Sequence, residues 1–564
     1  MTAGQLGRLG RTVVHLRAGQ VAHRARLRAQ QAALTRWPQT ARILLAGPSP
    51  AAAAGWPAGF VPLDGRAVSR WPGVAELRAG QIRLLGTGRA LGDPPDWAHQ
   101  DAPLLWRYHL HYWDWTWGLA AEPDARAARA LFERLWRSWR ECVVPGRGDA
   151  WRPYPVAMRA WSWCGLHLPM VAGSAIEDEF VASLAGHAGF LRRHLEFDVG
   201  GNHLVKNLKA LAGLAVFFAD EQLLDRALRR LAAQLAVQVL PDGGHFERAP
   251  AYHCQVLGDV IDVTDLLRAA GRDVPAELRR AAGRMREWLG VVLLPDGRVP
   301  LLNDGYPVDP TFLTLLAPQR CAPERLRLLP ATGLVRAEAG DWCMLADVGP
   351  PCPDDLPAHA HADSLGCIVH LGGSALLVDT GTSAYASGPV RAYERSTAAH
   401  NTVEIDGADS TEVWGAFRAG RRARVHDVRT SAAGGAVEVS ASHDGYRHLP
   451  GRPVHARRWS LTEAGLQVTD EVTGHGPHVV VARWHLAPGC SVRVTEAGAR
   501  VETAAGPVDV AVTGSCSVEL GSQTSAVAVG FGRTVPAPVL TCQVEAGLPV
   551  SISTSWRRAA EGAQ

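Results

Sequence analysis

Apolar residues recur at helical spacing through the first half of the chain and alternate with polar ones through the second. Leu278, Ala282, Met285 and Leu289 in AELRRAAGRMREWLG mark one helix face, as do Leu224, Leu228, Leu231 and Leu235 in LLDRALRRLAAQL. Further helices are predicted around 124–141, 155–170, 176–195, 203–219 and 254–270, punctuated by Pro and Gly in VVPGRGD, VLPDGGH and LLPDGRVPLLNDGYP. Repeated helices separated by such loops suggest a helical toroid or solenoid, although no fixed period of a helical-repeat kind runs through them. Near 325–340 the pattern changes to alternation, as in Ala436-Val437-Glu438-Val439, Leu466-Gln467-Val468-Thr469 and Val492-Arg493-Val494. The chain therefore reads as a multidomain α+β protein whose second half is a large antiparallel β-sandwich. The expected domains are a basic helix and a wrapping segment rich in Pro, Gly and Trp (1–100), a helical domain (101–325) and the sandwich (326–564).

A length of 564 residues exceeds one ordinary core, and 47% apolar residues fill two or three, which excludes a disordered or fibrous protein. The net charge of +3, from 58 basic and 55 acidic residues, offers no general field for nucleic acid. The longest apolar run, LAGLAVFFA (211–219), falls far short of the ~20 residues that span a bilayer, so no transmembrane segment is expected. Basic residues at 8, 11, 17, 24, 26 and 28 break every early apolar run, which reads as no export signal and a cytoplasmic protein. The segment 1–35 is expected as a basic helix packed on the main domain, with contact to a membrane surface as its alternative. Ten cysteines, at 142, 164, 254, 321, 343, 352, 367, 490, 516 and 542, are scattered without a CxxC pair, as expected of reduced and mostly buried thiols. Of 19 tryptophans, 14 precede residue 300; sugar stacking is one reading, and core packing is the weightier one.

Candidate chemistry concentrates in HAHADS (359–364), VDTGTSAY (378–385) and ERSTAAHNTVEIDG (394–407). His359 and His361 alternate and would share one face of a strand, Asp379 ends the apolar run ALLVD, and His400 could complete a His, Asp, His set. Nitrogen and oxygen ligands of this kind suit zinc better than calcium, although ordinary hydrogen-bonded histidines are the competing reading. Three segments of the helical half join them: AWRPYPVAMR (150–159), GNHLVKN (201–207) and DGGHFERAPAYHCQVLGD (242–259). Asn202 and His203 stand at the mouth of a predicted helix, where free amides favour an anionic ligand. Glu247, Tyr252 and His253 follow a Pro-Asp-Gly-Gly turn. Capping and loop hydrogen bonding would explain each segment singly.

In their order and spacing, GNHLVKNLKAL, DGGHFERAPAYH, HAHADSLGCIVHLGGSALLVDTGTSAY and RAYERSTAAHNTVEIDG resemble the heparinase II/III-like polysaccharide lyases, a family akin to oligoalginate lyases, over about residues 100–530. The resemblance implies an incomplete (α/α) toroid followed by an antiparallel β-sandwich, and β-elimination at a uronic acid. It implies that Asn202 neutralises the uronate carboxylate, with His203 and His359 assisting. Tyr252 matches the family's catalytic tyrosine, which could protonate the leaving oxygen or, ionised, take the C5 proton; His203 is the expected base for one substrate epimer. His361, Asp379 and His400 match positions that hold a structural zinc ion in several relatives, with His359 aimed into the cleft beside it; no organic cofactor is implied. Arg159, Tyr385 and Arg391 fall in matching segments and are expected substrate contacts, with salt bridging between domains as their alternative role. Lys206, where some relatives carry Glu, would favour a more acidic substrate or pair with Glu247, and Gly201 replaces a common Asn. The expected partner is an acidic polysaccharide or oligosaccharide, with a homodimer possible. Two other readings stay open: a glycoside hydrolase, for whose paired carboxylates Asp242, Glu247 and Asp304 are among the candidates, and a non-catalytic glycan-binding protein of exopolysaccharide assembly.

Overall fold

The computed structural model describes residues 3–37, 39–68, 71–318, 324–496 and 498–559. The chain opens with α1 (Ala3–Val13), α2 (Ala18–Arg36), α3 (Thr40–Leu44), α4 (Leu63–Arg66), α5 (Val74–Arg78) and the hairpin of β1 (Gln81–Leu84) and β2 (Thr87–Ala90). The helical region follows with α6 (Leu104–Tyr112), α7 (Trp117–Ala120), α8 (Ala125–Cys142), α9 (Pro153–Leu166) and α10 (Glu177–Arg193). It continues through α11 (Gly201–Phe217), α12 (Glu221–Gln238), α13 (Pro250–Ala269), α14 (Ala276–Val292) and α15 (Pro310–Leu315). Among the described residues no helix is long and apolar enough to cross a membrane.

Local signals explain these boundaries. Asp124 and Asp220 cap α8 and α12 by accepting the N–H groups of Ala127 and Leu223. On α8 the buried residues Ala128, Leu131, Phe132, Leu135, Trp136 and Trp139 form one stripe, as expected of a helix packed on one side. By contrast α11 is buried on nearly every side and lies against α9, α10, α12 and α13 at the centre of the region. Both α11 and α13 begin a few residues earlier than the apolar periodicity predicts. Pro250 at the first position of α13 is the sequence signal for that start.

From Leu326 the chain is almost wholly antiparallel sheet. The strands β3 (Leu326–Leu329), β4 (Leu334–Ala339), β5 (Trp342–Asp347), β6 (Cys367–Leu371) and β7 (Ser374–Leu377) form a five-stranded meander. After α16 (Pro389–Arg395) come β8 (Val403–Ile405), the small hairpin of β9 (Val413–Trp414) and β10 (Arg418–Ala419), β11 (Val425–Ala433), β12 (Ala436–His443), β13 (Val454–Thr462), β14 (Gly465–Thr473) and β15 (Pro477–His485). The chain closes with β16 (Ser491–Thr495), β17 (Gly498–Glu502), β18 (Val508–Gly514), β19 (Glu519–Gly530), β20 (Arg533–Gly547) and β21 (Val550–Arg558). An eight-stranded sheet runs β11-β12-β13-β14-β21-β18-β17-β16, and a four-stranded one runs β19-β20-β15-β8.

The five-stranded sheet is the layer that joins the halves. Leu329, Leu334, Leu345 and Ile368 belong to the helical core, while Val335, Met344, Ala346 and Val369 belong to the core shared with the other sheets. With both faces covered, every residue of β5 and β6 is buried and the period-two alternation vanishes there. It survives in β12 and β13, which have one covered face. His359 and His361 lie in the irregular segment before β6, so the expected shared strand face is not formed. The nine described cysteines are free thiols, six of them buried, and Cys321 lies outside the described residues.

Candidate active site

Two helix starts build one wall of a cleft. The turn at Gly200 and Gly201, both at positive φ, opens α11 with Asn202 and His203 in its first turn, and Tyr252 sits in the first turn of α13. Glu247, in the loop before α13, fastens the two. It accepts the Asn202 backbone N–H at 2.9 Å and the Asn202 amide at 3.2 and 2.9 Å. The departure at Gly201 has a physical reason: a Cβ there would lie 1.8 Å from Glu247 Oε1. Burial works against the Glu247 charge, but His245, His359 and the Asn202 hydrogen bonds hold its pKa below the usual value. The Asn202 amide is thus engaged by an ionised carboxylate, which differs from the expected free carboxylate clamp.

His203 faces the cavity with 38% of its side chain exposed, its Nδ1 3.2 Å from Glu196 Oε1. Asn207 holds Glu196 in place by donating to Oε2 at 3.0 Å, and the Tyr154 ring lies 4.5 Å from the imidazole. Burial opposes the imidazolium, yet the charge of Glu196 and its hydrogen bond raise the His203 pKa above the ordinary value. His253, singled out beside Tyr252, points away from the cavity, its Nε2 3.0 Å from the Met285 carbonyl.

The opposite wall comes from the sheet region and is tied down by Asp304, a residue of the loop between α14 and α15 that the sequence offered only as a hydrolase carboxylate. Fully buried, Asp304 lies 2.8 Å from His359 Nδ1 and 2.9 Å from His361 Nε2, and receives both terminal nitrogens of Arg391. Burial opposes its charge, but Arg391 and the histidine hydrogen bonds hold the carboxyl well below its usual range. The His359 ring lies against Tyr252 with centroids 3.9 Å apart, and its Nε2 is 3.5 Å from Glu247 Oε2. Tyr252 and Tyr385 share a 2.6 Å hydrogen bond between their hydroxyls. Burial raises the Tyr252 pKa well above that of a free phenol, and Tyr385 adds to it. The turn Asn303-Asp304 that knits this wall lies in the Pro- and Gly-rich stretch LLPDGRVPLLNDGYP, a weak signal that could have drawn notice to it.

Several expected site residues lie elsewhere. Arg159 is enclosed in the helical core, donating to His187 Nε2 and to the carbonyls of His111 and Ala150 at 2.9 Å each, with its guanidinium 4.7 Å from the Trp139 ring centre. It touches no part of the cleft, because a guanidinium so satisfied and stacked is a core element. Arg391 is likewise spent on Asp304 and the Ala416 carbonyl. Lys206 lines the cleft, but its ammonium pairs with Asp259 at 2.6 Å and not with Glu247. Asp379 Oδ2 lies 2.8 Å from His400 Nδ1, and the His361 and His400 rings are 5.2 Å apart. Among the described residues no group of three or more His, Cys, Asp or Glu side chains is arranged to hold a metal ion. Four buried atoms there nevertheless lack partners: His361 Nδ1, His400 Nε2 and both Asp363 carboxylate oxygens.

The cavity between the walls measures about 1560 Å³ and contains Asn202, His203, Glu247, Tyr252, His359 and Tyr385 on its surface. Six of the eight tyrosines line it (108, 112, 154, 252, 306 and 385), whereas Trp71 is its single tryptophan. The clustered tryptophans are core instead, with Trp106, Trp113, Trp115, Trp136, Trp139 and Trp163 fully buried. Beside four phenylalanines, the phenols thus give the cavity aromatic faces together with hydroxyl groups suited to a polar ligand.

Two family models cover most of the chain: "Heparinase II/III N-terminus" over residues 91–317 and "Heparinase II/III-like, C-terminal" over 322–562. The chain is 30% identical over 426 residues to FtsZ-localized protein C of Caulobacter vibrioides (strain NA1000 / CB15N), spanning 71% of this chain and 69% of that protein. Its structure is similar to that of heparinase III, with a TM-score of 0.72 at 16% identity, covering 85% of this chain and 81% of that one. A second likeness is to the Streptomyces coelicolor A3 chondroitin AC lyase in complex with chondroitin sulphate, with a TM-score of 0.56 at 13% identity, covering 94% and 83%. At these identities the structural likeness concerns the fold alone.

Proposed function

Since the chain belongs to the heparinase II/III-like family, we propose that it is a polysaccharide lyase that cleaves a uronic-acid-containing glycan by β-elimination. The C5–H bond breaks with its proton passing to a base, the electron pair forms the C4=C5 double bond, and the C4–O bond breaks as the leaving oxygen gains a proton. The observation that carries this reading is the meeting of Tyr252, His359, His203 and the Asn202–Glu247 pair on one cavity surface. Tyr252, kept protonated by burial, suits the acid that protonates the leaving oxygen. His203 is the base in this reading. Asn202 and His359 stabilise the carboxylate as it becomes enolate-like, the Asn202 amide exchanging Glu247 for the substrate.

Of the three carboxylates named as candidates for a hydrolase, Asp242 is spent on the N–H groups of Ala331 and Thr332 and Asp304 on Arg391, which leaves Glu247 as the one of the three on the cavity surface. These three therefore do not form a hydrolytic pair across the cavity. A second reading stands beside it, because one relative is named for its localisation and not for catalysis: a non-catalytic glycan-binding protein. Absorbance of unsaturated uronate tests both: incubation with heparan sulfate, chondroitin sulfate, hyaluronan, alginate and polyglucuronate should raise it with one substrate, and Tyr252→Phe should abolish the rise. Binding without any rise would select the second reading.

Three further points belong to the proposal. The helical region is an incomplete (α/α) toroid and the sheet region a β-sandwich. His361, Asp379 and His400 would hold zinc, a reading supported by the unpartnered His361 and His400 nitrogens and tested by the metal content of the purified protein. When bound it would brace the segment that carries His359. The cytoplasm is the proposed compartment, checked by cell fractionation.

A further inference from the structure

The first 63 residues contain eight arginines and no acidic residue, leaving 50 basic against 55 acidic residues in the rest of the chain. All of the positive excess is therefore on the segment that begins with α1 and α2. That segment is strapped across the cleft. Arg11 Nε reaches Glu412 at 2.8 Å and Arg17 reaches Asp355 at 3.0 Å on the sheet side. On the helical side Arg24 pairs with Asp198 at 3.3 Å, Gln31 donates to the Gly146 carbonyl, and Arg147 donates to the carbonyls of Leu34 and Thr35. Asp355 precedes His359 by four positions and Asp198 precedes His203 by five, so α2 passes both candidate catalytic segments.

Gln20, Arg24, Arg28, Gln31 and Thr35 all line the cavity, at spacings that put them on one face of α2. Arg24 is held by Asp198, whereas Arg28 and Arg36 on this helix, and Arg152 ahead of α9, line the same cavity with no carboxylate partner among the described residues. With a rise of ~1.5 Å per residue, Arg36 lies roughly 18 Å along the helix from Arg24. The cations are thus spread along the cleft and are not gathered at the point of reaction. Unpaired guanidiniums on a cavity wall suit carboxylate or sulfate groups, which they bind through paired N–H donors.

We propose that α2 is a polyanion-binding wall on which Arg28 and Arg36, with Arg152, hold charged sugar units beyond the one that reacts. This rests on the glycan reading above and adds a requirement to it: the ligand is an extended acidic chain, bound more tightly as it lengthens. The test measures binding by calorimetry in the full-length Tyr252→Phe protein, with disaccharides and octasaccharides of heparan sulfate, chondroitin sulfate, alginate and polyglucuronate. At least one octasaccharide should bind well above its disaccharide, and Arg28→Gln with Arg36→Gln should weaken it about tenfold. The disaccharide should be unaffected, and Arg42→Gln, a charge loss outside the cavity, should change nothing. Equal loss at both lengths, no loss, or no binding by any octasaccharide would overturn the proposal. So would charge-dependent binding to phosphatidylglycerol vesicles with glycan binding untouched, which would make α2 a lipid contact. Length-dependent binding without turnover in the unsubstituted protein would retire the lyase reading and leave this one standing.

Discussion

On the helical wall of the cleft, Asn202, His203 and Tyr252 ride on the first turns of α11 and α13, and His203 keeps more than a third of its side chain open to the cavity. On the sheet wall, His361 and His400 are sealed off and His359 is tethered, all in loops that owe their shape to charged partners. Helix starts fix the direction of their side chains through the backbone, with Glu247 and Glu196 adding hydrogen bonds to Asn202 and His203. A loop has no such scaffold, so a buried ion-pair hub at Asp304 replaces it. The helical wall can therefore lose a reacting group and stay folded, whereas the sheet wall should fail as a unit.

That contrast predicts its largest effect at Asp304. Asp304→Ala leaves the Arg391 guanidinium buried and unpaired, and should cost about 3–5 kcal/mol of stability, read by denaturant unfolding, with turnover lost as well. Unchanged stability would remove the hub from the argument. Tyr252→Phe, on the helical wall, should leave unfolding nearly unaltered while turnover falls roughly 10³-fold; a matching fall in stability would erase the difference between the walls. Arg159→Gln sharpens it from outside the cleft. The loss of hydrogen bonds made by a buried charge should lower stability by roughly 2–3 kcal/mol with substrate KM unchanged in the folded fraction. A raised KM would return Arg159 to the substrate.

The smallest effect concerns protons. Against burial, Glu196 raises the His203 pKa, and a base works only when neutral, so turnover should climb with pH above the ordinary imidazole range. Glu196→Gln removes the charge that holds the proton, and the climb should move to lower pH. A pH profile that does not move, or moves upward, would take the base role from His203. Stability carries the opposite sign: the raised pKa stabilises the fold below the unfolded imidazole pKa, and that gain is lost as pH rises through the folded value.

The change of periodicity near residue 325 was legible because each secondary structure repeats its own burial pattern, and Leu278, Ala282 and Met285 or Val437 and Val439 record it directly. Asn202, His203, Tyr252 and His359 were legible as candidates because their residue types suit proton transfer and anion binding. Their partners were not. Asp304 looked like one carboxylate among many, and Arg391 and Arg159 looked alike until one proved to pair across the two regions and the other to lie in the helical core. Nor does β5 reveal by its own letters that it is covered on both faces, since that depends on what packs against it.

The sequence alone determined the two architectural halves, the concentration of positive charge in its first 63 residues and the chemical types available for catalysis, because periodicity, charge and functional groups are local properties. Only the tertiary structure decided which carboxylate meets which histidine, that Gly201 makes room for Glu247, and that α2 lies along the cleft. Those are contacts between residues tens to hundreds of positions apart, fixed by packing and by the need to satisfy each buried charge.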